Sequence, residues 1–229
     1  GVLMYASKVE TKDLGLDNFY IDIGAGSKEE AEKYVQPGDV AGTYGSVFDC
    51  GDHRMAGKSM DDKIACYIEI MAIKRMEGQP AYDTYFVFST QEEVGLRGAT
   101  TAAYRVEPDY AIALDVTGVG DELGQKHPNA VKLGSGAAVK VRDASIVCSH
   151  KMVDHLVDLA REKKIPYQLE VLMYGGTDAG AIHLTKGGVV TGGISIPSRY
   201  IHSPVEMVDK RDVEACIELL LAALFTELK

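Results

Sequence analysis

Three things are scarce in this chain of 229 residues. Cysteine is the first. Cys50, Cys66, Cys148 and Cys216 lie far apart, and no Cys-x-x-Cys occurs. That spacing excludes a zinc ribbon and a disulfide framework, and it points to a reducing, cytoplasmic compartment. Basic clusters are the second. The net charge is -10, from 24 Lys and Arg against 34 Asp and Glu. Neither nucleic acid nor an anionic membrane is an expected partner. Long apolar runs are the third: none reaches the roughly 18 residues of a membrane span, and no signal peptide is recognisable. Repeats and low-complexity tracts are missing as well. What remains, 46% apolar and 25% charged residues, is a globular composition. The length suits one large domain, or one domain plus part of another.

What is present centres on one stretch. Thr84-Tyr85-Phe86-Val87-Phe88 is apolar and β-favouring, which predicts a buried strand. Ser89-Thr90-Gln91-Glu92-Glu93-Val94-Gly95 follows at once. Two carboxylates therefore sit where a buried strand leaves the sheet, the edge at which open α/β sheets bind ligands. Two solvated loop charges are the plainer alternative for this stretch taken alone.

The arrangement recurs along the chain. Residues 1–43 read as a small unit of their own. It holds a strand over Phe19-Tyr20-Ile21-Asp22-Ile23, a helix over 27–34 opened by the capping box of Ser27 and Glu30, and a strand over 40–44. About forty residues bury too little to stand alone, so this unit requires a partner surface. Ser59 is a candidate N-cap for a helix ending at Gly78, with Asp61 and Asp62 in its first turn. Tyr110-Ala111-Ile112-Ala113-Leu114 predicts a second buried strand closed by Asp115. A carboxylate there is either a ligand at a strand end or a turn-former ahead of Gly118. Strands are further expected over 137–141, 168–172 and 189–196, the last interrupted by Gly192-Gly193. A helix capped by Ser149 carries His150 and His155, whose five-residue separation marks both as structural. Gly175-Gly176-Thr177-Asp178-Ala179 turns into a short helix, and Asp209 caps a final one. Alternating strands and helices predict an α/β fold: a mixed, largely parallel sheet flanked by helices.

Asp61, Glu92-Glu93, Asp115 and His202 thus lie at strand ends or helix starts. If these ends share one edge, their oxygens and one imidazole suit zinc, cobalt or manganese rather than thiolate-seeking metals. Adjacent glutamates cannot be equivalent ligands. One can hold metal while the other faces the substrate as a general base. A glycosidase pair, facing across a sugar, is poorly served by sequence neighbours.

Gly57-Lys58-Ser59-Met60-Asp61-Asp62-Lys63, Thr90-Gln91-Glu92-Glu93-Val94-Gly95, Ala113-Leu114-Asp115, Gly175-Gly176-Thr177-Asp178-Ala179 and Arg199-Tyr200-Ile201-His202-Ser203 together resemble one family. It is that of the cytosolic dinuclear metallo-aminopeptidases, glutamyl and tetrahedral, some of which carry the old name cellulase M or endoglucanase. The resemblance covers nearly the whole chain. It implies a zinc-peptidase-like catalytic domain over 44–229 and part of a small β-rich dimerisation domain over 1–43. It implies two divalent metal ions, with Asp61 bridging, Glu93 and His202 completing one site, and Asp115 in the other. Glu92 becomes the general base toward water, and Thr177, Asp178 and Arg199 lie on the substrate side. The implied partners are a peptide substrate and further copies of the chain, from dimer to dodecamer.

One departure stands out. The family draws a second-site histidine from a His-x-Asp motif ahead of the inserted domain. No His-x-Asp occurs among His53, His127, His150, His155, His183 and His202. The expectation is a chain that begins inside the insertion, lacks the N-terminal segment of its catalytic domain, and holds an incomplete second site. A related deacylase or carboxypeptidase, and a non-catalytic chain that acts only in assembly, are the rival expectations.

Overall fold

The computed structural model describes residues 1–5, 12, 15–124 and 129–228; His127 lies outside them. The chain forms two compact units, Gly1–Thr43 and Tyr44–Lys229.

In the first unit, β1 (Val2–Tyr5) pairs antiparallel with β2 (Phe19–Asp22). Tyr5 and Phe19 meet edge-on at 6.3 Å between ring centroids. Every residue of both strands is exposed. The short helix α1 (Lys28–Ala31) starts as its sequence demands: the Ser27 hydroxyl accepts from the Glu30 amide at 3.2 Å. The Glu30 carboxylate reaches back to the Gly26 amide at 2.9 Å. The strand expected over 40–44 does not form. Val40 and Tyr44 are almost fully exposed, and extended backbone without a neighbouring ladder is not a strand.

Among the described residues the second unit is a seven-stranded sheet with helices packed on it. Its strands are β3 (Phe48–Cys50), β4 (Arg54–Gly57), β5 (Tyr110–Gly118), β6 (Ala137–Arg142), β7 (Tyr167–Val171), β8 (Val190–Arg199) and β9 (Glu206–Asp209). The sheet is mixed, as expected. β5 runs parallel to β8 and β6 parallel to β7, while the β3–β4, β4–β9, β9–β8 and β8–β6 pairs are antiparallel. β8 is the trunk. It carries β5 along one side for nine residues, and on the other side β6 at Ile194 and Ser195 and β9 at Ser198 and Arg199.

The helices are α2 (Met60–Arg75), α3 (Arg97–Val106), α4 (His150–Lys163), α5 (Ala179–Ile182) and α6 (Lys210–Leu224). α6 packs against both α2 and α4. The core lies between these helices and the sheet, around Ile68, Leu156, Ile194, Ile196, Val208 and Leu219. β8 runs unbroken through Gly192-Gly193, contrary to the interruption expected there. Both glycines serve packing. A Cβ on Gly192 would lie 2.4 Å from Met152 of α4, and one on Gly193 would lie 3.2 Å from Lys140.

Two further expectations are corrected. Residues 84–88 form no strand, and Tyr85, Val87 and Phe88 are exposed. A β-favouring sequence still requires a hydrogen-bonding neighbour, and among the described residues it has none. Asp115 does not end its strand either; β5 continues to Gly118.

Alternation along β5 splits the sheet's faces. Val116 joins the apolar core, while Asp115 and Thr117 point to the other face. Next to Thr117 lies a buried charged cluster. Glu170 accepts from the Thr117 hydroxyl at 3.0 Å and pairs with Lys140, which also lies 3.3 Å from Asp143. All three charged groups are at most 2% exposed. Removing one partner strands the others without counter-charge. Lys140→Met should therefore cost about 3–5 kcal/mol of unfolding free energy, read by urea denaturation. A loss below about 1 kcal/mol would show that the cluster is not held by charge.

Candidate metal centre

Asp61 and His202 are far apart in sequence and are joined by one strand pairing. β4 lies antiparallel to β9 with Gly57 opposite Glu206. Asp61 follows β4, and His202 precedes β9. Glu206 is 3% exposed, and its two oxygens accept from the Asp61 amide at 2.8 Å and the His202 amide at 2.9 Å. One buried carboxylate thus sets the backbone of both residues. Sequence reasoning missed Glu206, although its position four residues after a candidate ligand was a usable signal.

Ser59, expected as an N-cap, makes no side-chain cap bond. Its backbone is left-handed at φ 54°, and its hydroxyl instead accepts from Lys58 at 3.2 Å. Asp61 and Asp62 are joined by a cis peptide bond and lie outside helical geometry. Asp62 takes over capping by accepting from the Ala65 amide at 3.3 Å.

Glu92 and Glu93 sit on a tight turn leading into α3. The Glu92 carbonyl accepts from Gly95 and Leu96, and the Thr90 carbonyl accepts from Gly98 at 2.8 Å. A Cβ on Gly98 would fall 2.4 Å from the Thr90 nitrogen, so glycine is required there.

The structure brings these groups together. His202 Nε2 lies 3.0 Å from Asp61 Oδ2 and 3.1 Å from Glu93 Oε2. Asp61, Glu93 and His202 form one cluster, and Asp61, Asp62 and Asp115 a second, each with its ligand atoms within 4.8 Å of one another. Asp62 joins the site although its sequence position also fits a helix start. Glu92 lines the same cavity as Asp61, Asp62, Glu93 and Asp115.

Thr177, Asp178 and Arg199 are placed differently from one another. Asp178 lines the cavity and accepts from the Ser89 hydroxyl at 2.5 Å. Thr177 is buried, its hydroxyl accepting from the Ala179 amide at 3.3 Å. Arg199 is held by Asp121 at 2.8 Å.

The electrostatics call for a cation. Burial, then the Glu93 charge, pushes Asp61 up to about 6. Burial, then the charges of Glu93, Asp178 and Asp61, pushes Glu92 up to about 7. Asp62 and Asp115 are raised well above the carboxylate range by burial, with Asp115 and Asp61 acting on the former and Glu92 and Asp61 on the latter. Carboxylates converging beside one imidazole are the donors a divalent transition metal takes. The residues fit such an ion.

The family model of the M42 glutamyl aminopeptidases matches residues 3–219. This chain belongs to that family. A protein of Acetivibrio thermocellus is 47% identical over 225 residues, covering 98% of this chain and 67% of its own length. The structure of the aminopeptidase APDkam598 from the archaeon Desulfurococcus kamchatkensis is 42% identical, with a TM-score of 0.90 over 94% of this chain and 61% of that one. The Pyrococcus horikoshii TET1 peptidase, which can assemble into a tetrahedron or a large octahedral shell, is 31% identical with a TM-score of 0.84, covering 97% of this chain and 65% of that one. This M42 chain therefore spans about two thirds of the length of the relatives it matches.

The raised carboxylates have a thermodynamic consequence. Their folded pKa values exceed the unfolded ones, so the folded state holds protons that the unfolded state has released. The resulting stability is complete below the unfolded value of about 4 and is lost as pH rises through about 6 to 7. With a chelator present, this fall should be steeper in the parent protein than in Asp61→Asn. Zinc should reduce it in the parent, because an opposite charge favours the ionised form. Thermal melts from pH 4.5 to 7.5 provide the check. A parent slope no steeper than that of Asp61→Asn would contradict it.

Proposed function

We propose that this protein is a metal-dependent aminopeptidase that removes N-terminal residues from unblocked peptides. The observation that carries the reading is Asp61, which belongs to both ligand clusters at once. A shared carboxylate is what a two-metal site needs at its centre. Asp61, Glu93 and His202 would hold one divalent ion, and Asp61 with Asp115 the other, assisted by Asp62. Zinc, cobalt or manganese suits these donors; when bound, such ions activate water and polarise a carbonyl.

The protein's own groups divide the remaining work. Glu92 is not needed as a ligand, and without metal its carboxyl is raised toward neutrality. It takes a proton from water at a carboxylate oxygen and returns it to the departing amine. Asp178, held by Ser89, helps keep the Glu92 proton affinity high. The surrounding acid favours a substrate bearing a free ammonium group. We assign Asp178 and Arg199 to the substrate side, and to Thr177 the support of the Asp178 turn. Residues 1–43 serve assembly into a homo-oligomer, in keeping with the shells named for the TET1 peptidase, and the compartment is the cytoplasm. No described helix is long and apolar enough to cross a membrane.

Turnover of aminoacyl reporter substrates, compared with N-blocked ones, tests the reading in the longest natural polypeptide that contains these residues. Preference for the blocked substrates would favour a deacylase instead. Glu92→Gln should keep its metal and lose roughly 10²–10⁴-fold in turnover, while Glu93→Ala should lose metal as well. Equal loss of metal in both variants would reverse the two roles.

The clusters also differ in kind. Among the described residues the second contains carboxylates only, whereas three mixed ligands make a typical open zinc site. The 229-residue chain should bind nearer one metal than two, as read by elemental analysis. Two tightly held ions would mean that another residue completes the second site.

A further inference from the structure

The buried Lys140 cluster reaches beyond the sheet. One oxygen of Asp143 lies 3.3 Å from Lys140 Nζ. The other accepts from the Ser145 amide at 2.7 Å, the Ser145 hydroxyl at 2.7 Å and the Ile146 amide at 3.0 Å. The Asp143 amide donates to the Ile146 carbonyl at 3.0 Å, and Arg142 bridges to Val147. A carboxylate only 2% exposed thus closes a tight turn over residues 143–146 and holds the Ser145 side chain in one place. Ser145 itself is exposed, so core packing does not hold it.

That turn presses on a second one. The Ala144 amide donates to the Gly175 carbonyl at 3.2 Å. A Cβ on Gly176 would lie 3.1 Å from Ser145, and one on Gly180 only 2.4 Å from its hydroxyl and 2.7 Å from its Cβ. Gly180 is helical, so its backbone has no need of glycine; the room taken by Ser145 is what requires it. Between the two glycines stand Thr177 and Asp178. Asp178 lines the same cavity as Glu92, and one of its oxygens is held by Ser89. Its other oxygen is buried with no hydrogen-bond partner among the described residues.

We propose that Ser145 is a positioning residue. Held by Asp143, it wedges between Gly176 and Gly180 and so sets where Asp178 stands in the cavity. At its other end the same cluster reaches Thr117 through Glu170, on the strand that bears Asp115. A candidate metal ligand and the Asp178 turn therefore take their places from one buried group of charges. Buried ion pairs add little net stability over apolar packing, and fixing one arrangement is a role that suits them. The effect on turnover rests on the proposed placement of Asp178 on the substrate side; the effect on the turn does not.

The first test needs no turnover and uses residues 1–229. The Gly180 amide donates to the Thr177 carbonyl at 2.8 Å, and those of Ala181 and Ile182 to the Asp178 carbonyl at 3.0 Å. In Ser145→Gly, hydrogen exchange by mass spectrometry should be at least about tenfold faster over 180–182, with that over 194–196 in β8 unchanged. Gly180→Ala alone should disturb the turn. Combined with Ser145→Gly it fills the vacated space and should restore slow exchange. Equal acceleration at both places, or no rescue, would overturn the proposal.

The second test reads kcat and KM separately for an unblocked aminoacyl reporter, in the longest natural polypeptide that contains these residues. Ser145→Gly should keep its metal content and lose roughly tenfold to a hundredfold in kcat/KM, chiefly as a higher KM. The double variant should return to within about threefold of the parent. Unchanged kcat/KM, or a loss accompanied by loss of metal, would overturn the role. A parent without such turnover would refute the proposed activity alone, and the exchange results would still decide whether Ser145 sets the turn.

Discussion

The parallel ladder between β5 and β8 is the constraint on which the rest of the second unit depends. Nine consecutive residues pair in one register, and that register places Asp115 beside Ser195, with Thr117 two residues further on the same face. A slip of one residue would turn both into the apolar core and Val116 out of it. The two glycines of β8 allow this close packing, because α4 presses on one of them and the Lys140 stem on the other. The buried Lys140, Glu170 and Asp143 cluster then holds the polar face in place from below.

A second, shorter pairing completes the centre. β4 against β9 brings the segments before and after them to one place, and Glu206 holds the amides of Asp61 and His202 together. Glu92 and Glu93 arrive from a separate turn. The side chains converge at the cost of mutual repulsion and desolvation, which is why the carboxylates resist ionisation. An arrangement that disfavours its own charges is stabilised by binding opposite ones. The geometry is therefore that of a site adapted to cations rather than of a solvated acidic surface.

Much of this was legible in the residues. Apolar runs followed by carboxylates drew attention to Asp115 and Glu92-Glu93, although Asp115 lies within its strand and no strand precedes Glu92, and motif spacing singled out Asp61 and His202. Helix boundaries followed from apolar periodicity and from caps such as Asp209, which accepts from the Arg211 amide as its position implies. Ser59 misled because its local chemistry favours capping, while the tight turn into the site holds it in a left-handed conformation. Asp62 and Glu206 went unassigned because their neighbours in space are distant in sequence. The strand over 84–88 was misplaced for the same kind of reason: its composition favours extension, but a ladder needs a partner.

The sequence alone determined the properties that depend on residue type and short spacing. These are the mixed α/β class, the acidic and imidazole side chains of the candidate centre, and the family. Only the tertiary structure decided which acids share a cluster, that Asp61 stands in both, that a buried carboxylate positions two segments bearing candidate ligands, and that among the described residues β5 pairs with β8 alone. The division is physical. Propensity, capping and periodicity act over a few residues, whereas ligand convergence, burial and strand pairing depend on where distant segments meet.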